Sequence, residues 1–313
     1  MCTNNKIIQA LYLLLLSGIF TASNATQGYA SLKIAIGARE SAMGESGVAG
    51  ANSATSIRWN PALLAGGGIY DLSLHHTRWL VGTSQSSLFL KRSIGPAAIG
   101  VGLIYFSGGE IELRDSVPST EPLATYSFSD LSLAFGGALE IVKGTKVGLM
   151  ARYYSERLWN YFGSSWGLDA GMSFSPLQGL NFGVSMVDLG FDVRLKGEVF
   201  KPPMTIRAGG SFEREWSKNL ATSFNLDFHY RPYDGDPGIR SGLEFRLFKI
   251  LALRAGVKLL YSDGEKIQLI PPTEFLTFGA GIAHKGVSVD YAFVPYQEMD
   301  LGFTHRISLN FSF

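Results

Sequence analysis

A single cysteine, Cys2, stands in 313 residues, so no intramolecular disulfide can hold this chain together. Charge is scarce as well: charged residues make up 17%, against about 25% in an ordinary soluble domain. The net charge is +1 and no basic block occurs, which excludes the electrostatic footprint of a nucleic-acid binder. Beyond the N-terminus no stretch reaches about 18 consecutive apolar residues, the minimum for a membrane-spanning helix. Nucleophile elbow, metal-ligand spacing and phosphate loop are all missing, so no enzyme activity, cofactor or metal is expected. His75 and His76 fall on opposite faces of a strand and cannot chelate together. Asp234-Gly-Asp236 lacks the downstream acid of a calcium loop and reads as a turn. His284 and Ser288 flank a turn without a catalytic partner.

What is abundant is glycine, 37 residues, in a chain that is 46% hydrophobic. Glycine-rich apolar sequence disfavours long helices. At the N-terminus, Lys6 precedes an apolar run from Ala10 to Phe20, followed by small residues. That pattern predicts a secretory signal peptide over residues 1–25, with cleavage after Ala25 or as late as Ala30. An exported chain without disulfides needs a large core or a closed sheet.

Alternation with period two supplies the sheet. Thr304–Phe313 sets Ile307, Leu309, Phe311 and Phe313 against Arg306, Ser308, Asn310 and Ser312. In the same way Phe224, Leu226 and Phe228 oppose Asn225, Asp227 and His229. About fourteen such segments occur between residues 69 and 313, near the length that a tilted membrane strand needs. Tight turns at 143–145, 175–179, 217–219, 248–250 and 284–286 alternate with longer loops at 107–125, 157–163, 189–202, 232–237 and 262–272. The pattern predicts an all-β fold: a transmembrane antiparallel barrel in the outer membrane, in contact with its lipid. A soluble β-sandwich or propeller fits less well, because its strands average about 5–6 residues. An even strand count places the chain end with the short turns, and both termini are expected on the periplasmic side.

Each strand then has a lipid face and an inner face. The expected inner set is Arg152, Asp169, Arg207, Asp227, His229, Glu244, Arg246, Arg254, Lys258 and Asp290. Mixed signs there suit either a paired network or a polar path for a solute. Trp79, Tyr105, Tyr153, Tyr161, Tyr230, Tyr261 and Tyr296 are expected in interfacial girdles. The greasy loop residues Phe191, Val193, Leu195 and Phe200 form either a ligand vestibule or a loop packed into the barrel mouth.

Residues 26–68 do not alternate and are rich in small side chains, which suits a hatch or plug inside the barrel of residues 69–313. Asn60 before Pro61 predicts an extended residue leading into a short helical turn. Gly37-Ala-Arg39, Ala42-Met43-Gly44, Gly47-Val-Ala49 and Trp59-Asn60-Pro61-Ala62, which with Glu40 mark the expected hatch, resemble the N-terminal signature of the PorV/PorQ family, within the FadL-like outer-membrane proteins. The likeness continues through Asp169-Ala-Gly-Met172, Leu253-Arg-Ala-Gly256 and Val289-Asp-Tyr-Ala-Phe293 to Thr304-His-Arg-Ile-Ser308.

The resemblance implies a non-enzymatic component of type IX secretion that docks cargo or a partner protein. The FadL-like alternative is passive transport of hydrophobic small molecules through the hatch and a lateral opening. Phe311 and the terminal Phe313 resemble the aromatic signal read by the barrel assembly machinery. The purified protein is expected to show heat-modifiable mobility on a gel and to fractionate with outer membranes; solubility without detergent would contradict a barrel.

Overall fold

The computed structural model describes residues 28–115, 120–234, 236–262, 266–268, 276–295 and 303–313. The expected signal peptide, Tyr261's side chain and Tyr296 lie outside the described part. The strands are β1 Tyr70–Arg78, β2 Ser84–Ile94, β3 Ala97–Leu113, β4 Ala124–Val142, β5 Thr145–Leu158, β6 Tyr161–Leu177 and β7 Leu180–Gly190. A small hairpin, β8 Val193–Leu195 with β9 Glu198–Phe200, follows. Then come β10 Thr205–Ser217, β11 Leu220–Arg231, β12 Asp236–Leu247, β13 Leu251–Ser262, the short β14 Lys266–Gln268, β15 Leu276–His284, β16 Val287–Pro295 and β17 Phe303–Ser312.

Apart from β8, β9 and β14, these strands form a closed antiparallel barrel of fourteen. Each pairs with its neighbours, and β1 pairs with β17 from Asp71↔Ser312 to Arg78↔His305. Backbone groups that would face hydrocarbon at a sheet edge therefore find partners across this seam. The alternation decides which way each side chain points. Leu133, Phe135, Phe224, Leu226, Phe228, Leu253 and Val289 lie exposed on the outer wall, where lipid is the natural solvent. Their strand neighbours Ser132, Ala134, Asn225, Asp227, Arg254 and Asp290 are buried inside.

At one end the connections are tight, as at Lys285-Gly286, where both residues have positive φ and a two-residue turn closes the hairpin. Phe313 lies at this short-turn end, its carbonyl accepting from Ile69 N at 2.9 Å. The opposite end differs from expectation. Strands β3 and β4 continue through much of the polar stretch 107–125, pairing from Glu110↔Ser127 to Leu113↔Ala124 past a bulge at Ser107–Glu110. The expected loop 157–163 is strand on both sides of a two-residue turn, since Leu158 pairs with Tyr161. Beyond the lipid both faces of a strand can be polar, so polarity suggested loop where the period of Glu110-Ile-Glu-Leu113 specified strand.

Residues 28–68 run through the lumen. They comprise a 3-10 turn Ala30–Lys33, a helix Ala38–Ala42, a helix Ser56–Trp59 and a 3-10 turn Pro61–Ala65. Gly28 N donates to Lys201 O at the long-loop end. Gly66 and Gly67 approach Lys146 and Lys91 at the short-turn end. From Gly28 at the long-loop end, opposite Phe313, this segment traverses the lumen before joining β1.

Candidate functional site: the lumen and its internal segment

Local chemistry shapes the segment first. Asn60 is extended (φ −157°), and its side-chain oxygen accepts from Ala62 N at 3.1 Å, capping the turn that Pro61 opens. Its amide nitrogen donates to Val48 O at 2.8 Å and Met172 O at 3.0 Å, so one buried side chain ties the segment to itself and to β6. The contact needs glycine in the wall: a Cβ on Gly171 or Gly148 would overlap Asn60 or the Pro61–Ala62 backbone. On the opposite wall, Gly242 and Gly256 make the same room for Met43 and Gly44.

Buried ion pairs then fasten the segment at three stations, with a partly exposed fourth pair between Lys33 and Asp234 at 2.9 Å. Arg39 grips Glu244 with two nitrogens at 3.0 and 3.3 Å. Glu244 also accepts from Arg254 at 2.6 Å, and Arg254 reaches Asp290 at 2.7 Å. At the second station Glu45 meets Lys258 at 3.4 Å and Arg306 at 3.5 Å. At the third, Arg58 binds Asp188 at 2.6 Å. Asp188 also accepts from Tyr154 Oη at 3.1 Å, and its backbone N–H donates to Asp169 at 2.7 Å; Asp169 in turn pairs with Arg152. Asp227 binds backbone instead, accepting from Gly47 N at 2.6 Å and Val48 N at 2.9 Å.

The expected inner residues thus pair with one another or with the internal segment. Arg246, partly exposed at the short-turn rim, pairs with Glu213 and lies 3.5 Å from Glu244. Arg207 stacks on the Trp59 ring, its guanidinium 5.1 Å from the centroid. His229, buried beside both, lies 3.9 Å from Asp227. Among the segment's expected residues, Gly37 (φ 95°) turns the chain into the Ala38–Ala42 helix, and Trp59 donates from its indole to Ile36 O at 3.0 Å. His75 faces in, between Thr55 and Ser308, while His76 faces out.

Arg58, Glu45, Asp188 and Tyr154 do not stand out in the sequence, and Arg306 does so only as part of the polar face of the last strand. Asp188 carried a faint signal. Val187 and Asp188 both point inward across from Asp169, a bulge that breaks the alternation of β7, and Asp188 has φ of 60°.

The lumen has two sides. Ionic residues dominate the wall from β10 to β17 and continue onto β5–β7 at Arg152, Asp169 and Asp188. Against β2–β6 lies an apolar cluster instead: Phe89, Ala98, Ile104, Ala134, Ala138 and Met150 from the wall, filled by Tyr29, Leu32, Ile36, Ile57 and Leu64 of the segment. Val193, Leu195 and Phe200 cap it at the long-loop end and are buried, whereas Phe191 is 71% exposed and stands apart from them. Tyr161 packs on this cluster, and Trp79 lies under the Arg306 guanidinium, so neither belongs to an outer girdle. A polar cavity of about 550 Å³ opens at the short-turn end of the ionic side, lined by Arg39, Glu40, His75, Glu244, Arg254 and Asp290 among others. No group of three or more His, Cys, Asp or Glu suited to a metal occurs among the described residues.

Two segment carboxyls respond oppositely to their surroundings. Burial pushes Glu45 up, but Lys258, Arg240 and Arg306 together pull it well below the usual carboxylate range. Burial raises Glu40, and Arg39 only partly offsets it, because Arg39 is engaged chiefly by Glu244. The Glu45 contribution to docking is therefore complete above its unfolded value and is lost as pH falls below about 4. Deleting residues 31–65 should raise conductance in planar bilayers and leave the barrel heat-modifiable. In the intact protein conductance should rise on acidification, and Glu45→Gln should show the raised level already at neutral pH; a conductance indifferent to all three changes would mean that the segment seals nothing.

The chain matches no protein-family model and no curated protein sequence. Solved structures do resemble it. The toluene transporter TodX of Pseudomonas putida aligns with 91% of this chain and 97% of its own at 13% identity and a TM-score of 0.60. The toluene transporter TbuX of Ralstonia pickettii covers 88% and 98% at 15% identity and 0.60. A FadL homologue of Pseudomonas aeruginosa covers 90% and 99% at 11% identity and 0.54. At such identities the likeness concerns the fold, and that fold is the fourteen-stranded barrel of FadL-type outer-membrane proteins.

Proposed function

We propose that the protein is an outer-membrane channel for passive passage of hydrophobic small molecules. One observation carries this reading: an apolar column runs along one side of the lumen, from Val193 and Phe200 at the long-loop end to Leu64 and Ala138 near the short turns. A lumen that only needed filling could be ionic on this side too, as much of its other side is. The solved structures of the same fold described as a toluene transporter and a monoaromatic hydrocarbon channel support the same class of solute.

Magnitudes indicate what moves. A single aromatic ring burying about 150 Å² gains about 4 kcal/mol, enough to replace one buried Leu or Ile side chain at about 1.5–3 kcal/mol. It does not suffice to release the ion-pair stations together, since removing one partner of a buried pair costs about 3–5 kcal/mol at each. Passage therefore shifts Leu32, Ile57 and Leu64 locally while Arg39, Glu45 and Arg58 hold the segment. Gly100 gives Ile57 and Leu64 their room against the wall. The bulge at Ser107–Glu110, beside the packed rings of Phe106 and Phe128, is the weakest part of the pairing between β3 and β4 and the candidate lateral opening.

A second reading rests on the PorV/PorQ resemblance and on the projecting β3–β4 hairpin. Strands of 17 and 19 residues exceed the ~10 needed to cross, and their tips carry Glu110, Glu112 and Arg114. Such a polar spur suits docking of secreted cargo or a type IX partner.

Cells producing the protein should take up ethylbenzene faster than cells without it. Ile57→Gln, which leaves the wall untouched, should cut that uptake about tenfold; normal uptake in the variant sinks the transport reading. Loss of type IX cargo secretion on gene deletion is the result the second reading requires, and normal secretion removes it.

A further inference from the structure

At the long-loop end of the apolar column two carboxylates stand directly opposite each other. Asp130 on β4 pairs in register with Glu156 on β5, and like charges in that relation repel. Asp130 is 5% exposed, and its second oxygen accepts from Ser31 Oγ. Asp130 Oδ1 and Glu156 Oε2 are buried without a hydrogen-bond partner, and among the described residues neither carboxylate forms an ion pair. Among the described residues Asp130 accepts only from Ser31 and Glu156 only from the Tyr29 backbone N–H, whereas the other buried acids in the lumen hold an arginine, a lysine or two backbone N–H groups.

Tyr29 reaches the same place from the internal segment. Its ring lies 5.5 Å from that of Tyr154 and 6.0 Å from that of Phe200. It is 2% exposed, yet its hydroxyl has no partner. Burial, and then the charges of Glu156 and Asp130, hold this phenol well above its ordinary range, so the hydroxyl sits within the field of both acids. Its backbone is left-handed, φ 53°, a costly conformation for an aromatic residue. An aromatic ring clamped between two others, with a polar head in an acidic field, has the shape of a ligand supplied by the chain itself.

The geometry points to a recognition site for the ammonium group of a hydrophobic amine, with Asp130 and Glu156 taking the charge, Tyr154 and Phe200 flanking the ring, and Tyr29 as the stand-in that the ligand displaces. This rests on the proposed hydrophobic passage and narrows its solute class. A calcium ion fits less well. It takes six to eight oxygens, and here two carboxylates, a phenol and Ser31 Oγ face aromatic rings and Ile104. Aromatic faces with a carboxylate are instead the surroundings an organic cation prefers.

The test uses the full-length protein in detergent, titrated with phenethylamine, 4-ethylphenol, ethylbenzene and calcium, with heat-modifiable mobility as the check on folding. Phenethylamine should bind about tenfold or more tighter than ethylbenzene, the scale of a charge-assisted hydrogen bond. Asp130→Asn with Glu156→Gln should bring that ratio to about one. Tyr29→Ala should tighten phenethylamine several-fold, because the stand-in is gone. Equal affinity for amine and hydrocarbon, a preference that survives the double substitution, stronger binding of 4-ethylphenol than of the amine, or calcium that excludes the amine would each overturn the proposal. Ethylbenzene uptake without preference for the amine defeats only this inference; absence of both uptake and binding defeats the channel reading as well.

Discussion

The seam between β1 and β17 is the constraint on which everything else depends. Once Asp71–Arg78 pairs with His305–Ser312 the sheet has no edge, and every strand acquires an inside and an outside. Lipid can solvate the outer face only if it is apolar. The inner face, cut off from bulk water by the segment it encloses, must satisfy its own polar groups. The ionic half of the lumen is the consequence: buried arginines and acids that would be untenable singly persist because most find a partner on a neighbouring strand or on the internal segment.

The internal segment is held by two different means. Small residues let it touch the wall, Pro61 against Gly148 and Met43 against Gly256, so that backbone meets backbone. Charges fix its register at Arg39, Glu45 and Arg58. Both devices act mainly on the ionic side and at Asn60. The apolar side is held mainly by packing, with hydrogen bonds at its long-loop end between Ser31 and both Asp130 and Gln85, and packing yields to a ligand of similar shape where an ion pair does not. The asymmetry separates the part of the lumen that stays in place from the part through which the proposed traffic passes.

Much of the wall was legible because its signal is local. Period two in Phe224–Tyr230 or Val287–Phe293 reports a half-greasy strand whatever its neighbours are, and turns such as Lys285-Gly286 have a local backbone requirement. The lipid-exposed positions follow from the same pattern. Length was less legible where strands leave the membrane: Glu110–Leu113 and Arg157–Phe162 looked like loop because polarity no longer marks a face there. The path of the internal segment was not legible either. Nothing in Gly28-Tyr-Ala30 indicates that it lies at the long-loop end, because its position follows from contacts with Lys201 and Phe200, more than 170 positions away.

The sequence alone determined a closed β-barrel with an enclosed N-terminal segment, an apolar exterior and mixed charge within, because each of these follows from the order of residues along one strand or one turn. Only the tertiary structure decided which inner residues meet. Arg152 with Asp169, Arg58 with Asp188 and the unrelieved opposition of Asp130 to Glu156 depend on register and on a bulge in β7, and register is set by the whole ring of strands closing on itself. The division of the lumen into an ionic and an apolar side belongs to the same class of fact: it is a property of the circle, and no single strand contains it.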